Sequence, residues 1–295
     1  MTSAHEHPSA GTDRTPLAPL LAKATSDLAA AGVATPRVDA ELLAAAVLGV
    51  HRGRLMLIDR IRTAEAERLV TLIARRARRI PLQHLIGTAA FRHRELAVGD
   101  GVFVPRPETE LLAGWGIDHV PPGATVVDLC SGSGAIALSV ADEARPGRVI
   151  AVERSPAALA WLRRNAAGTP VEVVSGDVTD PGLLAGLDGT VDLVLCNPPY
   201  VPEGTAVPPE VADHDPAEAV FGGADGLAVI RPVIALAARL LRPGGMAGIE
   251  HDDVHAAAVP DLLRADGRFT AVEEHADLAG RPRFATARRM ADCSS

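Results

Sequence analysis

Apolar positions along this chain change their spacing near residue 88. Upstream of that point they recur at the spacing of helices, first at Leu17, Leu20, Leu21 and Ala24. A second helix is predicted after Thr35-Pro36 and a third over 63–79, with Thr63 as its N-cap. The third helix ends in a basic cluster that we interpret as a solvated helix end: Arg75, Arg76, Arg78 and Arg79. Residues 16–87 therefore indicate a small helical domain without strands.

Downstream, the pattern predicts alternating strands and helices. Residues 88–104 alternate between apolar and polar positions and contain Gly99-Asp100-Gly101, which is typical of a β-hairpin. A helix is predicted from Thr109 to Trp115. Further helices are predicted near 134–144, 156–166 and 226–241, and strands over 125–130, 148–153, 171–175, 191–196, 245–250, 268–275 and 283–289. Such alternation predicts an α/β domain, with a mostly parallel sheet and an antiparallel hairpin at one edge.

These elements suggest an order of domains along the chain. Residues 1–15 are polar and lack the apolar core of a signal peptide, so we expect a disordered N-terminus and a cytoplasmic protein. The helical domain at 16–87 is then followed by a β-hairpin linker at 88–108 and by the α/β domain at 109–295. No apolar run approaches the roughly 20 residues that a membrane-spanning helix needs.

Composition narrows the possible chemistry. The hydrophobic fraction of 47% is ample for a packed core. Cys130, Cys196 and Cys293 have no C-x-x-C spacing and the histidines are scattered, so we predict neither a disulfide framework nor a metal site. The net charge of −8 counts against a stable complex with nucleic acid, which usually requires a basic surface.

A glycine-containing loop follows the first predicted strand of the α/β domain. Asp128 is near the end of that strand, and the loop continues as Cys130, Ser131, Gly132, Ser133 and Gly134. Glycines there allow a tight turn and a close approach to a ligand. The segment resembles the D-x-G-x-G-x-G loop of S-adenosyl-L-methionine methyltransferases. In that family the acid lies near the methionine ammonium, and the loop lies under the methionine and ribose. Cys130 stands in place of the first glycine.

The next two strands also end in acids. Glu153, followed by Arg154, ends the second strand about 20 residues beyond the glycines, where a carboxylate can accept both ribose hydroxyls. Asp177 follows the third strand, where it can accept from the adenine amine, with Val178 against the ring. Each acid alone could be a helix cap or a solvated turn. Three acids at three successive strand ends indicate a cofactor site.

The fourth strand runs into Asn197-Pro198-Pro199-Tyr200. The prolines end the strand and stiffen the loop, so Asn197 presents its amide at a rigid position beside the sheet. The tetrapeptide resembles the methyl-acceptor loop of methyltransferases that act on planar nitrogens. We expect Asn197 and the Pro198 carbonyl to accept the N–H groups of a substrate amide. Tyr200 is expected to pack beside the cofactor or the substrate, or to be a core aromatic.

Together these motifs resemble the bacterial peptide chain release factor glutamine methyltransferases, the PrmC/HemK family. Other segments carry the same resemblance: 36–43, 81–87, 105–110, 222–227 and 277–283. It implies a Rossmann-like class I methyltransferase domain with a seven-stranded sheet. S-adenosyl-L-methionine is then the cofactor and the glutamine of the Gly-Gly-Gln loop in class 1 release factors the substrate, docked in part by the helical domain. It also implies that Phe103, Pro107, Glu108 and Thr109 close over the pocket.

Some alternatives remain open at this point. The Phe103–Thr109 segment could instead be an interdomain hinge, with Arg106 and Glu108 in structural salt links. An enzyme that methylates a nucleic-acid base would share the Asn-Pro-Pro-Tyr loop but should have a basic face. Other possibilities are a methyltransferase for a ribosomal-protein glutamine and a module that binds the cofactor without turnover. We expect a monomer.

Overall fold

The computed structural model describes residues 13–291, and these divide into two compact units with a boundary between Ile86 and Gly87. The described part of the smaller unit contains four α-helices, a 3-10 helix (Arg52–Leu57) and two short strands: β1 (Arg14–Pro16), α1 (Leu17–Ala30), α2 (Pro36–Leu48), β2 (Arg60–Arg62), α3 (Thr63–Ala77) and α4 (Leu82–Ile86). Its helices form because one face of each is apolar. On α3, Ala66, Leu69 and Ile73 are spaced by three and four residues and are buried in a core shared with α1 and α2.

Two expectations for the start of the chain were wrong. Strands β1 and β2 pair antiparallel, with Arg14 opposite Arg62, so the smaller unit is not free of strands. Both strands are only three residues long and mostly polar, which leaves no periodic signal in the sequence. Arg14 and Thr15 are therefore ordered, although we predicted disorder over 1–15; the rest of that prediction, residues 1–12, lies outside the described residues.

The third helix also differs in detail from the prediction. It begins at Thr63, and Arg62 is the N-cap, with its backbone N–H donating to Glu65 Oε2 at 2.9 Å. At the other end, Arg76 is not a solvated residue of the basic cluster. Its Nε donates to Asp39 Oδ2 at 2.7 Å, and both side chains are buried. This ion pair joins α3 to α2, and breaking a buried pair of this kind usually costs about 3–5 kcal/mol.

The larger unit opens with the predicted hairpin, formed by β3 (Thr88–Phe91) and β4 (Arg94–Ala97). Its turn is at Arg92-His93, and Gly99-Asp100-Gly101 lies after the second strand rather than between the two. Arg92 adopts a φ of 50° in this turn, and its Nη2 donates to Glu143 Oε2 at 2.7 Å. The side-chain anchor holds a turn conformation that residues other than glycine seldom adopt.

Helices and strands then alternate as the sequence predicts, except that the helices at 209–214, 217–220 and 258–265 were not predicted. The elements are α5 (Thr109–His119), β5 (Thr125–Leu129), α6 (Ala135–Glu143), β6 (Arg148–Glu153), α7 (Pro156–Ala166), β7 (Val171–Ser175), β8 (Val191–Cys196), α8 (Pro209–His214), α9 (Ala217–Val220), α10 (Ile230–Leu240), β9 (Leu241–Glu250), α11 (Ala258–Ala265), β10 (Phe269–Ala276) and β11 (Pro282–Arg289). None of the described helices is both long and apolar enough to cross a membrane.

The strands form one seven-stranded sheet in the order β10-β11-β9-β8-β5-β6-β7. Strands β9, β8, β5, β6 and β7 are parallel, and β11 pairs antiparallel with both β9 and β10. The predicted fold class is confirmed. The chain runs outward in one direction from β5 to β7 and then returns to β8 on the other side of β5. Ligands of open α/β sheets bind at such a reversal, beside the carboxyl ends of the strands.

Candidate active site

The central strand carries a buried acid at its carboxyl end. Asp128 Oδ2 accepts from the Ser131 hydroxyl and from the Ala137 N–H at 3.1 Å. Asp128 Oδ1 is buried and has no hydrogen-bond partner among the described residues. Burial raises the pKa of this carboxyl to about 7, although the bonds from Ser131 and Ala137 act to lower it. A buried acceptor without a partner is costly, and a ligand with an N–H donor would satisfy it.

The loop after β5 turns through three residues with positive φ. They are Cys130 at 57°, Gly132 at 56° and Gly134 at 90°. The cysteine therefore keeps the left-handed conformation that a glycine would adopt more readily at this position. Gly134 faces the packed side of the loop, where an added Cβ would lie 2.7 Å from Leu162 Cδ1. The sequence needs a glycine at 134 for both backbone conformation and packing.

Glu153 at the end of β6 is largely engaged with the backbone. Its Oε2 accepts from the Gly132 N–H at 2.9 Å, and its Oε1 accepts from the N–H groups of Arg154 and Ser155, each at 2.8 Å. A carboxylate offers about four lone-pair positions, so one remains, on Oε2. Oε2 is therefore the oxygen of Glu153 that is more open to a ligand hydroxyl.

Asp177 follows β7 and is held in a turn. Its Oδ1 accepts from the Thr179 N–H at 2.9 Å and from the Thr179 hydroxyl at 2.7 Å. Arg154 Nη1 lies 3.3 Å from Oδ2. These bonds lower the pKa of Asp177, those from Thr179 most of all, so the carboxylate is ionised and fixed at neutral pH.

The Asn197 loop is anchored at both ends by the larger unit. Asn197 Nδ2 donates to the hydroxyl of Thr109, the first residue of α5, at 3.0 Å. The Tyr200 hydroxyl donates to Glu250 Oε1 at 3.1 Å, and Glu250 ends β9. Burial raises the pKa of Glu250 to about 7, offset in part by Thr109 and Tyr200. These anchors hold the loop rigidly beside the carboxyl ends of β8 and β5.

A cavity of about 320 Å³ lies at these strand ends. Its walls bring together most of the predicted site residues: Phe103, Thr109, Asp128, Cys130, Ser131, Gly132, Glu153, Arg154, Asp177, Val178, Asn197, Pro198, Pro199 and Tyr200. Gly134, Pro107 and Glu108 do not line it. Glu108 instead precedes α5 and lies 3.8 Å from Arg281, the structural salt link that was the alternative interpretation of this residue.

Sequence reasoning gave Arg283 and Glu250 no part in this site, and it gave Arg106 only a possible structural salt link. Arg106 and Arg283 also line the cavity. Arg106 Nη2 pairs with the buried Asp215 carboxylate at 2.6 Å, and its guanidinium lies 4.7 Å from the centre of the Phe103 ring. Glu250 was predicted only as the last residue of a strand. One signal could have revealed it, because Glu250 is an acid at the end of a buried strand, like Asp128 and Glu153.

The sheet order, the acids at successive strand ends and the Asn-Pro-Pro-Tyr loop define a class I S-adenosyl-L-methionine methyltransferase. The sequence matches the family descriptions "PrmC N-terminal domain" over residues 19–87 and "Methyltransferase small domain" over residues 109–214. The chain belongs to the release factor glutamine methyltransferase family.

Three relatives illustrate this relationship. The release factor glutamine methyltransferase of Mycolicibacterium smegmatis is 60% identical over 91% of this chain and 96% of its own length. The protein of the same name from Mycobacterium tuberculosis is 49% identical over 89% and 88% of the two chains. A 4-amino-L-phenylalanine/4-methylamino-L-phenylalanine methyltransferase of Streptomyces pristinaespiralis is 40% identical over 86% and 89%. Relatives at this level of identity therefore include proteins whose names give different substrates.

Proposed function

We propose that this protein transfers a methyl group from S-adenosyl-L-methionine to the side-chain amide nitrogen of the glutamine in the Gly-Gly-Gln motif of class 1 release factors. The observation that carries the proposal is the orientation of Asn197. Its Nδ2 is bonded to Thr109, so its Oδ1 is left as the acceptor in a cavity wall beside the acids of β5 and β6. A carbonyl oxygen fixed in this way suits the N–H of a neutral primary amide.

Three acids would hold the cofactor. The unpartnered Asp128 Oδ1 fits the methionine ammonium, the remaining position on Glu153 Oε2 fits one ribose hydroxyl, and Asp177 fits the adenine amine. Val178 would pack against the adenine ring, while Cys130, Ser131 and Gly132 would lie under the methionine and ribose. When bound, the cofactor supplies a methyl group that its sulfonium centre has already activated.

The residues around the acceptor then have to orient a poor nucleophile. An amide nitrogen is weakly nucleophilic because its lone pair is delocalised into the carbonyl. Asn197 Oδ1 and the Pro198 carbonyl would accept the two N–H bonds of the substrate, which turns the face of the amide toward the methyl. Fixing reactants in this way can lower the activation free energy by roughly 7–11 kcal/mol in favourable cases. The same two acceptors would stabilise positive charge that develops on nitrogen. The methylated nitrogen then loses its proton to water.

The remaining assignments follow from the same proposal. Phe103, Thr109, Pro199 and Tyr200 would contact the substrate, whereas Pro107 and Glu108 would shape the start of α5. The helical unit, which matches the PrmC N-terminal domain, would contribute to docking of the release factor. We further propose that the enzyme works in the cytoplasm as a monomer and forms no lasting complex with nucleic acid.

A transfer assay tests this function. Purified protein is mixed with methyl-labelled S-adenosyl-L-methionine and either a class 1 release factor or the same factor with its Gly-Gly-Gln glutamine changed to alanine. We expect label on the unaltered factor alone, and none with Asn197→Ala. A parallel reaction contains free 4-amino-L-phenylalanine, the substrate in the name of the Streptomyces relative. Label on that amine, and none on the release factor, would refute the proposed substrate.

A further inference from the structure

The segment 222–227, which carries part of the family resemblance, has no role in the site described so far. Its first five residues form a loop shortly after α9, with the sequence Gly-Gly-Ala-Asp-Gly. None of these five residues lines the cavity. Their backbone instead packs against that of the acceptor loop, residues 197–200. We call residues 222–226 the support loop.

Backbone hydrogen bonds join the support loop to the chain that leaves the acceptor loop. The Val201 N–H donates to the Val220 carbonyl at 3.0 Å, and the Gly222 N–H donates to the Val201 carbonyl at 2.9 Å. Two residues further on, the Glu203 N–H donates to the Gly223 carbonyl at 3.0 Å. The two segments therefore pair like neighbouring parallel strands, which fixes the distance between them.

Gly222 brings the two loops into a contact that leaves no room for a side chain. A Cβ added at Gly222 would lie 2.5 Å from the Pro199 carbonyl oxygen and 2.6 Å from the carbonyl oxygen of Gly226. Both atoms belong to the backbone, so neither can rotate away as the end of a long side chain would. The φ of Gly222 is not positive, so glycine is needed here for space and not for backbone conformation.

Gly226 makes a second contact of this kind. A Cβ added there would clash with the Tyr200 carbonyl oxygen and would also lie 2.7 Å from Cε1 of His255. The His255 side chain is buried, and its Nε2 donates to the Asp225 carbonyl at 2.9 Å. His255 therefore holds the support loop in place, while the support loop contacts two successive carbonyl groups of the acceptor loop.

We propose that Gly222 and Gly226 are positioning residues, which set the place of the acceptor loop in the cavity wall through their contacts with its backbone. A displaced Pro199 carbonyl would move that of Pro198 too, because peptide groups are planar and proline fixes φ. This catalytic consequence rests on the proposed function, in which the Pro198 carbonyl and the Asn197 amide receive the substrate. The position of the acceptor loop itself does not depend on which substrate is methylated.

Two glycines of the support loop provide a matched comparison. Gly222→Ala places a methyl group against the acceptor loop. Gly223→Ala is the control, because Gly223 has a φ of 84° and its added Cβ would meet only Ala228 Cβ, at 2.9 Å. Both variants should lower Tm, the first through crowding and the second through backbone strain. Only Gly222→Ala should displace the acceptor loop.

The position of the acceptor loop can be measured directly, because Tyr200 is the only tyrosine in the sequence. Protein labelled with ¹⁵N-tyrosine therefore gives one backbone amide signal, and its nitrogen shares a peptide group with the Pro199 carbonyl. We expect this signal to move in Gly222→Ala and to keep its wild-type position in Gly223→Ala. A signal of Gly222→Ala that coincides with that of the wild type would overturn the inference.

Kinetics test the catalytic consequence. At saturating S-adenosyl-L-methionine, Gly222→Ala should lower kcat toward the release factor by up to about 100-fold, as a displacement of about 1 Å can. Gly223→Ala should keep a kcat close to that of the wild type. The cofactor Kd should hardly change in either variant, because the acids that would hold the cofactor lie at the ends of other strands. Equal losses of kcat in the two variants, or none in Gly222→Ala, would contradict the inference. A wild type that labels no release factor would refute only the proposed function.

His255 provides a further test that adds no atoms to the support loop. His255→Leu removes the hydrogen bond to the Asp225 carbonyl, whereas His255→Gln keeps an N–H donor on its side chain. We expect His255→Leu to move the Tyr200 signal and lower kcat, and His255→Gln to recover most of both. This pair decides the question if Gly222→Ala does not fold. Identical signals and kcat values in the wild type and His255→Leu would then overturn the inference.

Discussion

Arg106 and Asp215 form an ion pair across the larger unit, with 2.6 Å between Nη2 and Oδ2. The two residues are 109 positions apart in the chain, yet the pair joins the segment before α5 to the end of α8. The side chain of Asp215 is fully buried, whereas that of Arg106 is 33% exposed. Loss of Arg106 and loss of Asp215 should therefore change the free energy of unfolding by different amounts.

We predict that Arg106→Met lowers the free energy of unfolding more than Asp215→Asn does. Burial already raises the pKa of Asp215, and Arg106 is the charge that counters it. Without Arg106 a carboxylate stays buried and unpaired, a loss of about 3–5 kcal/mol in fully buried cases and less here because Arg106 is partly solvated. Denaturation in urea at pH 8 measures both variants. Equal losses, or a larger loss in Asp215→Asn, would contradict this account of the pair.

Asp128 should make stability depend on pH in a known direction. Its pKa is raised from 3.8 to about 7 in the folded protein. Between these two pH values Asp128 is protonated in the folded protein and ionised in the unfolded chain. Its contribution to the free energy of unfolding therefore falls as pH rises through this window, by up to about 1.4 kcal/mol per pH unit.

Asp128→Asn removes that proton exchange. The stability of the variant relative to the wild type should accordingly improve as pH rises from 5 to 7 and level off above. Its affinity for S-adenosyl-L-methionine should drop most above pH 7, where the wild-type residue is a carboxylate and the variant offers the ammonium only a neutral amide oxygen. Thermal unfolding across this pH range, together with calorimetric titration of the cofactor, checks both effects. A stability difference that is constant with pH would show that Asp128 titrates normally.

The loop glycines provide a matched pair of substitutions. Both Gly132 and Gly134 have positive φ, so alanine should cost about 1–2 kcal/mol of backbone strain at either position. At Gly134 the new Cβ would also meet Leu162 Cδ1 at 2.7 Å, whereas nothing lies within 4 Å of a Cβ at Gly132. We therefore expect Gly134→Ala to be the more destabilising by at least about 1 kcal/mol. Equal Tm values for the two variants would rule out the clash with Leu162.

The parallel strands and the acids at their ends could be predicted from the sequence. Each strand is an apolar run, and residues that end strands or cap helices follow it directly. Strand β8 is a short apolar run that two prolines end. Helix α7 begins at Pro156, directly after the N-cap residue Ser155, and ends where the helical spacing of apolar residues stops. Where local signals were weak, prediction failed. Helix α10 begins at Ile230 rather than at 226, because Asp225 Oδ1 accepts from the Leu227 N–H and Gly226 has a φ of 72°, so a turn precedes the helix.

The supports of the site could not be predicted, because they depend on contacts between distant parts of the chain. Tyr200 and Glu250 are 50 positions apart, and Asn197 and Thr109 are 88 apart. Sequence spacing indicates that an Asn-Pro-Pro-Tyr loop is stiff, but not which groups receive its hydrogen bonds. The hydrogen bond from the Gly132 N–H to Glu153 could not be predicted either, because it forms only when the glycine-containing loop folds against the end of β6.

Locating the methyl group on the substrate tests the central claim most directly. A class 1 release factor is incubated with the enzyme and S-adenosyl-L-methionine, digested, and sequenced by tandem mass spectrometry. We predict a single added methyl group on the side-chain nitrogen of the Gly-Gly-Gln glutamine, absent when Asn197→Ala replaces the wild-type enzyme. A methyl group elsewhere on the factor, or an unmodified factor beside an enzyme that binds the cofactor, would contradict the account.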